Sequence, residues 1–274
     1  MQASRKYPFP LEDVRYFNRV VKELVGIDPE QYKVKPFFRR VAVRMRATRT
    51  DSLVEYAHIL KHDPEEVRRF LDALTINVSK FFRNWETFRF FRDEILPLLF
   101  SDRSGFEVWS AGCAGGEEAY SLAMLFDEYF KGHPECWVKI WGTDIDRDSL
   151  ARAETGVYHG QLLDEVPERY LARYFVPIGN GMYKIKEDLK RYCSFQRADL
   201  IEGEFKRTGF RLIFCRNVLI YFKRDFQERL FREFFERLEP GGFLVLGKVE
   251  GLCGSAKELF SVVNIRERIY RKEV

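Results

Sequence analysis

The chain has no long apolar run. Stretches such as Ile95–Phe100 end far short of the about 20 residues a membrane helix requires. Its opening, MQASRKYPFPLEDV, lacks the apolar core of a secretory signal, so a cytoplasmic protein is expected, without direct membrane insertion. Cysteines are few and odd in number (Cys113, Cys136, Cys193, Cys215 and Cys253), widely spaced and never CxxC. This excludes a disulfide framework and a zinc motif and fits reduced thiols. His58 and His62 have an HxxxH spacing but no evident third ligand, so no metal is expected. No GxxxxGK[ST] occurs, which excludes an ATP-type P-loop. Acid is missing from residues 33–50, which carry Lys33, Lys35, Arg39, Arg40, Arg44, Arg46 and Arg49.

What is present suffices for a folded protein. Hydrophobic residues make up 46% of the 274 residues and include 26 Phe, while the 32% charged residues are mixed in sign. Residues 1–100 read as a helical domain. Apolar residues from Leu11 to Val25 follow a 3.6 period, Pro36 opens a second helix, and Asp51 and Asp63 stand as N-caps of two more. A fifth, aromatic-rich helix is expected from about Asn84 to Phe100. Residues 101–274 alternate short apolar runs with helical patterns. The strand-like runs are Phe106–Ala111, Trp137–Thr143, Cys193–Ala198, Leu212–Cys215, Phe243–Gly247 and Ser261–Tyr270. The helical ones are Glu117–Tyr129, Ser149–Ala153 and Asp225–Leu238. The pattern predicts an α/β fold, a doubly wound Rossmann-like parallel sheet, with one late strand free to run antiparallel. A small antiparallel β insertion is expected at about 158–192, built on a hairpin turning at Gly179-Asn180-Gly181.

In VWSAGCAGGEEAYSLAML a strand meets a helix through the small-residue loop Gly112–Gly116. Such a loop lets a ligand approach backbone N–H groups, and it also fits an ordinary strand–helix turn. Asp144 closes the next strand, where a carboxylate accepts ribose hydroxyls; Asp144 and Asp146 equally suit a helix N-cap. The Glu117–Glu118 pair repels a pyrophosphate and attracts a cation, which favours S-adenosylmethionine over a dinucleotide.

NVSKFFRNWETF, WSAGCAGGEEAYSLAM, TDIDRDSLARAETGVY, FRLIFCRNVLIYF and the final strand pair together resemble the bacterial chemoreceptor glutamate methyltransferases of chemotaxis (CheR), collinearly from about Leu71 to Tyr270. The resemblance implies S-adenosyl-L-methionine as methyl donor and S-adenosyl-L-homocysteine as product. It places cofactor contacts on Asn77, Ser79, Arg83, Glu118, Asp144, Asp199, Leu200, Arg216 and Asn217, and puts Arg83 and Tyr221 next to the reactive methyl group. Asp199 stands where the family commonly has Asn, and Ser79 where it has Thr. The family's GHSE is here the looser Gly247-Lys248-Val249-Glu250 and assigns no site residue.

The implied partner is the cytoplasmic helical region of chemoreceptors, with Arg39, Arg40, Arg44 and Arg46 facing acidic receptor helices. A solvated basic face is the alternative for that helix. Methyltransferases acting on base amines share an [DNS]PP[YFW] motif where this chain has Arg216-Asn217-Val218-Leu219, so nucleic acid is not expected. The rival readings are a methyltransferase for another protein or nucleic acid, and an inactive cofactor-binding scaffold. Asn84–Phe88, NWETF, resembles a receptor-tail motif but runs straight into a helical sequence and is taken as coincidence.

Overall fold

The apolar period of the first segment is realised in α1 (Leu11–Val25), which buries Val14, Phe17, Val20, Val21 and Val25 and stops at left-handed Gly26. The computed structural model describes residues 7–74 and 79–273. It forms two compact units, Met1–Ile76 with Tyr221–Phe226, and Asn77–Ile220 with Gln227–Val274.

In the helical unit α1 is followed by α2 (Val34–Thr48), α3 (Leu53–His62) and α4 (Pro64–Leu74). Pro36 lies in the first turn of α2, where its missing N–H costs nothing. Asp63 caps α4 by accepting the N–H groups of Glu65 and Glu66. Asp51 does not cap α3. Ser52 does, accepting from Glu55 N–H while the Glu55 carboxylate reaches back in a capping box. Phe17, Tyr56 and Phe70 meet ring to ring in the core. Tyr221–Phe226 returns to this unit as the end of a 3-10 turn, a single bridge from Phe222 to Tyr32 and the first residues of an α-helix. Lys33 N–H donates to Tyr221 O and Lys223 N–H to Gln31 O, and the Phe222 ring lies 4.9 Å from Tyr32.

The sheet unit begins with the aromatic helix, which is α5 (Trp85–Phe90), a π-turn (Phe91–Ile95) and α6 (Leu96–Leu99). This helix was expected to close a helical domain of residues 1–100, but the units part at Ile76–Asn77. The reason is packing: Phe88 stacks on Phe214, Phe91 meets Phe214 edge-on, and Phe91 also meets Phe126, inside the sheet unit's core.

There follow β1 (Gly105–Ala111), α7 (Glu117–Phe130), β2 (Trp137–Asp144), α8 (Arg147–Thr155), β3 (Val157–His159) and α9 (Glu168–Tyr174). Next come β4 (Phe175–Gly179), β5 (Met182–Ile185), α10 (Glu187–Lys190), β6 (Cys193–Arg197) and β7 (Phe210–Cys215). The chain finishes with α11 (Arg224–Arg237), β8 (Leu238–Leu246), β9 (Phe260–Asn264) and β10 (Ile269–Lys272). The main sheet has the order β6-β2-β1-β7-β8-β10-β9. Its first five strands are parallel; β10 is antiparallel to both neighbours. The expected single strand Ser261–Tyr270 is therefore a hairpin. Asn264 Oδ1 accepts the N–H groups of Arg266 and Glu267, and Arg268 turns at φ 58.

The small antiparallel sheet has the order β3-β5-β4. Its two-residue turn, Asn180 at φ 50 and Gly181 at φ 69, has the doubly positive φ that matches strand twist. In the main sheet the chain starts at the centre, winds out to β6 and returns to β7. Strand order thus reverses between β1 and β7, and outside the carboxyl ends at such a reversal lies the ligand crevice of a doubly wound sheet. Among the described residues no helix is long and apolar enough to cross a membrane.

Candidate functional site

The crevice is shaped first by backbone. After β1 the chain bends at Gly112 (φ 78), Ala114 (φ 48) and Gly116 (φ 86). Gly112 is required twice over: its φ is left-handed, and a Cβ there would lie 2.4 Å from Val218 Cγ2. Asp144 braces this loop from the end of β2. Its carboxylate accepts from Ala114 N–H at 2.8 Å and from Asp146 N–H at 3.0 Å, and burial raises its pKa against those bonds. A carboxylate has about four lone-pair sites, so both oxygens can still accept from a ligand hydroxyl. The capping role falls to Asp146, which accepts from Asp148 N–H and Ser149 Oγ at the start of α8.

The two acids opening α7 point to different partners. Glu118 accepts from Ser110 Oγ at 2.7 Å and lies 3.7 Å from Arg216 Nη1. Glu117 is 4% exposed and burial lifts its carboxyl, while the Ser79 hydroxyl bonds to it. Among the described residues Glu117 Oε2 has no hydrogen-bond partner. Asp199 follows β6, next to Ala198, whose N–H donates to Asp144 O. Its Oδ1 accepts from Ile201 N–H at 2.7 Å; its Oδ2 is buried without a partner among the described residues. Burial pushes this carboxyl up to about 6 against the Ile201 bond, and Glu204 and Glu202 add to the rise. Leu200 beside it is half-buried.

Arg216, at the end of β7, is a buried cation. Nη2 donates to Arg83 O at 2.9 Å and to Asn84 Oδ1 at 3.1 Å, and the guanidinium lies over the Phe88 ring. Burial lowers its pKa and Glu118 opposes the fall. Arg83 thus sits between left-handed Phe82 (φ 52) and Asn84 (φ 62), with Arg216 holding its carbonyl. Such a backbone persists only where its surroundings enforce it. Asn217 is left-handed too (φ 61), and its N–H donates to Glu250 Oε2. The structure therefore brings Ser79, Arg83, Glu118, Asp144, Asp199, Leu200, Arg216 and Asn217 to one edge of the sheet. Asn77 lies outside the described residues.

These features fit a cofactor with hydrogen-bond donors and a positive charge: two buried acceptor oxygens stand open, and acids outnumber cations along the edge. A family model described as "CheR methyltransferase, SAM binding domain" matches residues 77–269, and "CheR methyltransferase, all-alpha domain" matches residues 12–75. The chain belongs to the CheR methyltransferase family. It is 34% identical over 254 residues to a chemotaxis protein methyltransferase of Listeria monocytogenes, covering 92% of this chain and 95% of that one. It is 30% identical to the chemotaxis protein methyltransferase of Klebsiella aerogenes, over 94% of this chain and 90% of that one. It also matches 28% of an uncharacterized 104.1 kDa protein of Rhodobacter capsulatus at 32% identity, over 95% of its own length. S-adenosylmethionine is the cofactor of this CheR-family chain.

In the helical unit the outcome for the basic helix is divided. Arg39 and Arg46 on α2 are exposed, as is Lys35. Arg40 and Arg44 do not share that exposed face. Arg40 is 8% exposed, donates to Leu74 O and stacks over the Tyr221 ring at 4.5 Å. Arg44 forms a two-pronged bond with Glu66 at 2.9 and 2.5 Å, and Glu66 also accepts from Tyr56 Oη. Their i,i+4 spacing was legible, but not that their side of α2 faces α4, where a 1% exposed glutamate needs a cation. Tyr221 is half-buried beneath Arg40.

Two residues escaped the sequence reading. Glu117 counted only as one of an acid pair. Glu250, buried at 5% exposure, accepts three backbone N–H groups; its signal was the surviving glutamate of the loosely matched Gly247–Glu250 motif. Cys113 is fully buried, with its thiol pushed well above the ordinary range by burial and then by Asp144, as an inert cysteine should be. Asn84–Phe88 starts α5, with Thr87 and Phe88 buried.

Proposed function

We propose that the chain methyl-esterifies glutamate side chains on the cytoplasmic helical region of chemotaxis receptors, as a protein-glutamate O-methyltransferase of the cytoplasm. The observation that carries this reading is the Arg83 turn, held in left-handed backbone by Arg216 beside an acid-lined crevice. The names of the Listeria and Klebsiella relatives support the chemotactic context.

When bound, S-adenosylmethionine supplies the methyl group, carried on a sulfonium centre. Ser79, Arg83, Glu118, Asp144, Asp199, Leu200, Arg216, Asn217 and the undescribed Asn77 would hold it. The acids favour a cationic ligand over a neutral one. A substrate glutamate has a reference pKa of about 4.3 and is already ionised at neutral pH, so no residue need act as base. What remains for the protein is alignment. The Arg83 guanidinium holds the carboxylate by charge-assisted bonds, and the Tyr221 hydroxyl orients donor or substrate. Arg39 and Arg46, with Lys35, offer α2's exposed basic face to an acidic receptor helix.

The test is to incubate the protein with methyl-labelled cofactor and a receptor cytoplasmic fragment, with RNA in parallel. Base-labile label on the receptor is expected, falling in single-turnover rate with Arg83→Ala and with Tyr221→Phe. Label on RNA, or none anywhere, overturns the reading. Asp144→Ala should weaken S-adenosylhomocysteine binding by about 1.5–3 kcal/mol, and more than Asp146→Ala does.

A further inference from the structure

The loop after β7 poses a hydrogen-bonding problem that its own sequence does not solve. Left-handed Asn217 lies past the end of β7, so the N–H groups of Asn217 and Ile220 stand outside that strand's ladder. Both are met by one side chain. Glu250 Oε2 accepts from Asn217 N–H at 2.8 Å and Glu250 Oε1 from Ile220 N–H at 3.2 Å. Oε2 also takes Gly247 N–H at 2.7 Å. The Leu219 N–H adds to this set, and together these bonds oppose the effect of burial on the carboxyl.

Close approach makes this possible. A Cβ on Gly247 would lie 2.6 Å from Glu250 Oε2 and 2.8 Å from Asn217 N. On its other side the loop is held by Gln227, whose amide donates to Leu219 O at 2.7 Å.

We infer that Glu250 is a positioning residue: its carboxylate, given room by Gly247, folds Asn217–Ile220 into the shape that receives the cofactor. The inference rests on the assignment of Arg216 and Asn217 to the cofactor. An apolar residue at 250 leaves buried N–H groups unpaired. A glutamine keeps one acceptor oxygen but turns an NH2 group on donors that need an acceptor.

The experiment is calorimetric titration with S-adenosylhomocysteine of the parent, Glu250→Gln, Gly247→Ala and Asp127→Asn, after the melting temperature of each is measured. Asp127 is the control for lost side-chain bonding: half-buried near the end of α7, it accepts from Tyr174 Oη at 2.8 Å and Tyr192 Oη at 2.9 Å. Glu250→Gln and Gly247→Ala are expected to bind roughly tenfold more weakly or worse. In Glu250→Gln, amide exchange should accelerate at residues 217–220. Asp127→Asn should melt lower yet keep parental affinity. A folded Glu250→Gln with parental affinity overturns the inference, as does an Asp127→Asn that loses as much. Should Glu250→Gln not fold, Gly247→Ala decides, because it retains the carboxylate and only displaces the loop; parental affinity there also overturns it. Failure of the underlying assignment looks different: an Asp144→Ala protein that binds like the parent removes the cofactor site itself.

Discussion

At Asp199 one carboxylate oxygen holds the Ile201 N–H and the other faces no protein donor among the described residues, so its charge is costly until a ligand arrives. The carboxyl rises from 3.8 to about 6, and a raised acid makes the folded state bind the proton more tightly than the unfolded state. The cofactor-free protein should therefore lose stability through this residue as pH rises from about 4 to about 6. Asp199→Asn should remove that loss and raise neutral-pH stability by about 1–3 kcal/mol, read by thermal melts at pH 4.5 and 7.5. A variant that melts like the parent at both pH values contradicts this. The resemblance supplied the position, but no sequence pattern could show that one oxygen is left open. The same limit holds at Arg40 and Arg44, which read as surface charge until α4 is in place. Arg44→Ala strands the buried Glu66 and should cost about 3–5 kcal/mol in denaturant unfolding. Charge reversal at exposed Arg39 and Arg46 should leave stability within about 0.5 kcal/mol while lowering receptor methylation, an effect that rising salt should mimic. A fully active, salt-insensitive reversal variant would make that face mere solvated charge.

Local signals located the elements well where they depend on local chemistry. The period of Leu11–Val25 and the Asn180-Gly181 turn specify their own conformations, and both stand where expected. The expected cap Asp51 gives way to its neighbour Ser52, because two good capping residues are adjacent and only the reciprocal bond with Glu55 chooses between them. Ser52→Ala should thus cost about 1 kcal/mol in chemical denaturation and Asp51→Ala a few tenths at most. Equal costs would mean that the box is not the operative cap. The aromatic helix at 85–99 is legible as an element, but the unit it packs in is not. Helical period reports which face is apolar, not which partner covers it; Phe214, far along the chain, decided the matter. The C-terminal hairpin was merged into one strand for a related reason: its turn rests on the Asn264 side chain and carries no glycine.

At the scale of the whole chain, the two units are not consecutive in sequence: the helical unit takes Tyr221–Phe226 from between β7 and the body of α11. Phe222, 5% exposed and packed on Tyr32 and Phe226, joins the helical core through that segment. Phe222→Ala should destabilise the helical unit by about 3–5 kcal/mol, the usual cost of emptying a buried aromatic site. Hydrogen exchange should show protection lost in α1 and α2, although the substitution lies in the sequence of the other half. Loss confined to β7 and α11 would contradict it.

That borrowed segment also sets an order of events during synthesis. The four helices leave the ribosome long before Phe222 is made, and until then Tyr32 and the upper side of Arg40 face water, not the segment that covers them. The first part of the protein to be born is thus completed only after most of the second part has been translated. A ribosome-bound chain stalled with residues up to 220 exposed should be cut readily by protease within 27–48. One stalled with residue 237 clear of the exit tunnel should resist cutting there, because the strap over the helices has arrived.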